Sequence, residues 1–182
     1  MTSGRLRGVY RCWCVLNTVT VLSLRLEEIL DECLKRTKEV FPKALAFMSG
    51  LLGEVSAEKI EKYVKPFLES IPHVAIHEAA HAYAEKFLEG IDLPVEKKIV
   101  LAEILARFIE RKTSTWLREQ GYSWVLIETF EEQVRELEAY SELREVKIPI
   151  EKYAELYWKF EESLERGELG KYVDTLAREL GL

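Results

Sequence analysis

This chain is short of several residue types, and each shortage narrows what it can be. Cysteine occurs as Cys12, Cys14 and Cys33. An odd number confined to the first fifth of the chain excludes a disulfide framework and points to a cytoplasmic setting. Cys12-x-Cys14 could be half of a metal site, but nothing near it supplies the other half. Beyond the first two dozen residues there is no long apolar run, so the body offers no membrane span. Positive charge is in deficit: 26 Lys and Arg face 32 Asp and Glu, a net charge of -6. That balance argues against nucleic-acid or anionic-membrane partners, and no Lys/Arg run offers a local exception. Amides are almost missing, with Asn17, Gln120 and Gln133 the whole set, and aspartate is limited to Asp31, Asp92 and Asp174. Abundant Glu, Lys and Arg beside so few labile amides is the composition of proteins that work at high temperature.

Residues 1-22 are set apart as a leader. They carry Arg5, Arg7 and Arg11, and the first acid is Glu27. This stretch reads as a start placed upstream of the true one near Val21, as an ordered strand or arm, or as a targeting segment. Residues 23-182 read as a single helical domain, since convincing strand patterns are lacking and apolar residues recur with helical spacing. Leu26, Ile29, Leu30, Cys33 and Leu34 begin that pattern, and Pro42 is expected to end or kink the first helix. Ser56 is expected to cap a helix through Leu68. Pro72 opens a third helix and Gly90 closes it. Asp92 and Pro94 supply the cap and first turn of a fourth, running to about Arg118. Further helices are expected over Trp124 to Leu143, Ile150 to Arg166 and Gly170 to Leu180, with an extended connector at residues 146–149. The expected fold class is therefore all-α.

Scarce histidine makes its placement informative. Two of the three fall in His77-Glu78-Ala79-Ala80-His81, an H-E-x-x-H pattern whose chance occurrence in a chain this poor in His is roughly one in a hundred. At i and i+4 on a helix the imidazoles lie one turn apart on one face and can reach one Zn²⁺, with the glutamate placed to take a proton from water beside it. From Ile71 to Ala84 the only charged side chain apart from histidine is Glu78, so the motif belongs to a buried helix. Its alanines allow a second helix to approach closely.

In these residues the chain resembles the zincin superfamily of metallopeptidases, over the motif helix and the helix after it. The resemblance implies that His77 and His81 ligate zinc, that Glu78 is the general base, and that the substrate is a peptide or protein. The alternative is a helical protein in which the metal is structural or the motif carries no chemistry. His73 cannot be the third ligand, because eight residues of helix separate it from His81 by about 12 Å; it reads as a surface histidine. The histidine-bearing extension of one zincin branch is missing, with Ala84 and Phe87 in place of its Gly and His. In the gluzincin branch the third ligand is a glutamate on a later helix, and Glu103, in an apolar run from Ile99 to Ala106, fits best. A salt bridge to Arg107 is its competing role, and the two are compatible if Arg107 orients the carboxylate. Glu110 is the second candidate ligand and Glu96 a weaker one. Cys33 is a third kind of candidate: peptide deformylases join an H-E-x-x-H helix to an upstream Cys, although the glycine that precedes it there is absent here. For the oxyanion, Tyr122, Tyr140, Tyr153 and Tyr157 are all available, and spacing does not choose among them. The cluster Tyr153, Tyr157, Trp158 and Phe160 reads as helix packing.

Overall fold

The structure is a computed structural model that describes residues 26–68, 72–138 and 147–182. Both the leader and the end of the helix expected from Trp124 lie outside these residues. Seven helices are described: α1 Leu26–Leu52, α2 Ala57–Leu68, α3 Pro72–Leu88, α4 Val95–Glu119, α5 Phe130–Leu137, α6 Ile150–Glu165 and α7 Leu169–Glu179. Among the described residues there is no strand, and the fold is all-α. No described helix is long and apolar enough to cross a membrane.

Of the two outcomes expected at Pro42, an end or a kink, the end does not occur. α1 continues to Leu52 because Val40, Phe41, Ala44, Met48 and Leu52 on either side of the proline form one buried stripe. Burying these side chains is worth roughly 1.5–3 kcal/mol for each large one, which exceeds the loss of the single main-chain bond that proline removes. The exit from α1 uses Gly53 at φ 76°, a left-handed position suited to glycine. Lys86 on α3 closes it, its Nζ donating to the carbonyls of Leu52 and Glu54 at 2.9 and 3.3 Å.

Ser56 caps α2 as expected, its hydroxyl accepting from Lys59 N at 3.2 Å. Asp92 does not cap α4. Pro94 occupies that position without a side-chain cap, and Lys98 N donates to its carbonyl. The helix expected from Trp124 begins six residues later, at Phe130. A capping box fixes the later start: Glu132 N donates to Thr129 Oγ1, and Thr129 N donates to Glu132 Oε2 at 2.8 Å. The residues before it stay irregular because their carbonyls are taken by α4. Arg118 donates to Val125 O at 3.1 Å, and Arg111 donates to Glu128 O.

α3 lies at the centre, packed chiefly on α4 and also on α1, α2 and α7. Its Ala75, Ala79, Ala80, Ala82 and Ala84 are fully buried, so α4 approaches with little side-chain bulk between the two axes. Tyr83, also fully buried, is held by Ser49 on α1, with the two hydroxyls 2.5 Å apart. On the far side of α4 an aromatic layer forms the rest of the core. Phe108 meets Tyr153, Tyr157 and Phe160 at ring-centroid distances of 5.1, 5.5 and 5.6 Å. The α6 aromatics are thus packing residues, as their spacing suggested, except that Trp158 is 58% exposed.

Candidate metal centre

His77 and His81 stand one turn apart on α3 and both are half-buried, with side-chain exposures of 16% and 19%. Their Nε2 atoms point at each other across 3.2 Å. From α4, the carboxylate of Glu103 enters the same space, with Oε2 3.2 Å from His81 Nε2 and Oε1 3.7 Å from His77 Nε2. Among the described residues, His77, His81 and Glu103 are the one group whose ligand atoms gather closely enough to hold a metal ion.

The donor set passes a geometric test. Bonds of about 2.0–2.1 Å in a tetrahedron place ligand atoms about 3.3 Å apart. The two 3.2 Å separations, between the Nε2 atoms and from His81 Nε2 to Glu103 Oε2, match that value, while the 3.7 Å from His77 Nε2 is to the other carboxylate oxygen, Oε1. Two imidazole nitrogens and one carboxylate also match the three-ligand sets of catalytic zinc sites, whereas structural sites are closed by four protein ligands.

The orientation of His77 has a cause. Its Nδ1 donates to Glu110 Oε2 at 2.8 Å, which leaves Nε2 as the nitrogen offered to the cluster. Glu110, a candidate ligand from the sequence, is therefore a hydrogen-bond partner of His77 and stands outside the group of three. Glu103 is restrained in a comparable way, since Arg107 Nε donates to its Oε1 at 2.8 Å. The salt bridge to Arg107 and the place beside the histidines, alternatives in the sequence, occur together. Arg107 extends further, with Nη1 3.0 Å from Glu136 and 3.4 Å from Glu128.

The electrostatics follow from this crowding. Burial opposes the charged form of His77, but the charge of Glu110, the hydrogen bond to it and the charge of Glu103 outweigh burial and raise its pKa to about 9. Burial likewise opposes ionisation of Glu103, yet Arg107, then His81 and His77, hold it well below the usual carboxylate range. Glu110 is also lowered: burial opposes this, and His77, Arg107 and His73 overcome it.

The remaining candidates fall elsewhere. His73 is half-buried, not a surface histidine, and lies close enough to act on Glu110. Glu96 is exposed. Cys33, half-buried on α1, is not part of the cluster. Tyr122 pairs with Lys43, while Tyr140 lies outside the described residues. Tyr153 is fully buried in the aromatic layer. Tyr63 on α2 had no place in the sequence reading, yet its ring lies parallel to that of His81, with centroids 6.2 Å apart and 19° between planes. Its signal was its place beside Ile60 and Val64 on the inward stripe of α2. Glu78 is half-buried on α3 between the two histidines.

Comparison of the chain with protein-family models, with curated proteins and with solved structures yields no match.

Proposed function

We propose that this protein is a zinc-dependent hydrolase that cleaves peptide bonds, with zinc held by His77, His81 and Glu103. The observation that carries the reading is the convergence of the two Nε2 atoms and the Glu103 carboxylate at ligand spacing. Zinc bound there supplies Lewis acidity toward a carbonyl oxygen and acidifies water. The residues of the chain do the rest. His77 offers Nε2 because its Nδ1–H donates to Glu110, and Glu103 stays ionised because Arg107 stands against it. Glu78 is the general base in this proposal, accepting a proton from water at its carboxylate and returning it to the leaving amine. A peptide or protein is the substrate, and the cytoplasm is the setting that the cysteine usage favours. A set of three ligands among the described residues favours this reading over a purely structural metal, which would call for a fourth protein ligand.

The test is zinc content combined with hydrolysis. Wild type should bind one zinc per chain after metal-replete purification, and Glu103→Ala should lose it. Glu78→Gln should keep the zinc and lose hydrolysis of a peptide library. Zinc retained by wild type with no cleavage of any peptide would favour the structural reading, and no zinc in wild type would overturn both.

A further inference from the structure

Among the described residues, Arg107 is the one buried Arg or Lys. It is the cation of a buried cluster otherwise made of acids and histidines, with a side chain only 5% exposed in the middle of α4. Its guanidinium divides its donors. Nε goes to Glu103 Oε1 at 2.8 Å, while Nη1 goes to Glu136 on α5 at 3.0 Å and to Glu128, in the segment before α5, at 3.4 Å. The planar fork makes these contacts mutually dependent, because turning the guanidinium to improve one displaces the others. Anchored at Glu128 and Glu136, Arg107 has little freedom to follow Glu103 if that carboxylate rotates.

The consequence lies in which oxygen Glu103 can give. Oε1 carries the Arg107 Nε bond and stands back at 3.7 Å from His77 Nε2, whereas Oε2 comes closer to a histidine nitrogen, 3.2 Å from His81. We propose that Arg107 is a positioning residue that confines Glu103 to a one-oxygen ligand, so that the metal site keeps a coordination position open. A carboxylate free of this restraint can turn both oxygens toward a cation, crowding that position and raising the coordination number to five when water stays bound. This inference rests on the metal reading above and adds the reason the third ligand leaves room for water or substrate.

The experiment uses the full chain and Co²⁺ as a spectroscopic replacement for zinc. Wild type should bind Co²⁺ and show the intense visible bands of four-coordination. Arg107→Lys keeps the charge and loses the fork. It should bind Co²⁺ about 10- to 100-fold more weakly, and its bands should drop to the lower intensity of five-coordination. Arg107→Gln should show the same change more strongly. If Arg107→Gln does not fold, judged by circular dichroism, Arg107→Lys decides alone. Variants that bind Co²⁺ with wild-type affinity and a wild-type spectrum would overturn the positioning role while leaving the metal site standing. Weaker binding with an unchanged spectrum would also overturn it, by reducing Arg107 to a structural ion pair. Failure of wild type to bind Co²⁺ or zinc would remove the metal reading itself and this inference with it.

Discussion

Glu110 Oε2 lies 2.8 Å from His77 Nδ1, on the opposite side of the imidazole from the nitrogen that faces His81 and Glu103. A carboxylate seven residues beyond Glu103 on α4 thereby sets the tautomer of a histidine on α3. The sequence offered Glu110 only as a second candidate ligand, and this contact gives it a different role, as the hydrogen-bond partner of His77.

The two roles give different outcomes on substitution. Glu103→Ala should abolish stoichiometric zinc binding. Glu110→Ala should leave binding stoichiometric but about 10- to 100-fold weaker, the usual loss when a histidine ligand's hydrogen-bond partner is removed. Competition with a chromophoric chelator measures both. Equal losses in the two variants would return Glu110 to the ligand set.

The sequence disclosed the helical class and the place of the motif helix, and it singled out Glu103 as a buried carboxylate, because each depends on local pattern. Ala75, Ala79, Ala80 and Ala84 around the histidines foretold the tight α3–α4 contact, and the apolar run around Glu103 foretold its burial. What stayed hidden depends on rotation and tertiary competition. Whether Glu110 or Glu103 faces the histidines is a matter of where α4 is turned about its axis, and residues seven apart share a face. Arg107 was visible as an i,i+4 partner of Glu103, but its second and third carboxylates, Glu128 and Glu136, come from a segment whose helix starts later than its apolar pattern suggested. Tyr63 reaches His81 only through the packing of α2 on α3.

Pro42 shows tertiary burial outweighing a local signal, and the excess can be measured. The proline is exposed and sits inside α1, where its nitrogen cannot donate to the preceding turn. Pro42→Ala restores that main-chain bond and removes the ring's clash, an effect of up to about 3 kcal/mol in a helix interior. Greater freedom of the unfolded chain offsets about 0.4–1 kcal/mol of this. The expected result is a net stabilisation of about 1–2 kcal/mol in urea unfolding of the metal-free protein. A destabilised variant would mean that the core is packed around a bend which the proline creates.

The pairing of His77 with Glu110 also makes metal-free stability depend on pH, in a direction opposite to that of metal binding. The folded pKa of His77 is raised to about 9 from an ordinary 6.5. A raised pKa means that the folded state binds this proton more tightly than the unfolded one. The contribution is fully present below pH 6.5 and is lost as pH rises through about 9. Metal-free protein should therefore melt at progressively lower temperature from pH 6.5 to 9, and Glu110→Gln should flatten that slope. Zinc requires the neutral imidazole, so its affinity should rise across the same interval, with close to one proton released per zinc bound near neutral pH. Isothermal titration in buffers of different ionisation enthalpy counts that proton directly. A metal-free Tm that does not fall across this window, or zinc binding that releases no proton at pH 7, would show that His77 is already neutral in the folded chain and that Glu110 orients it without charging it.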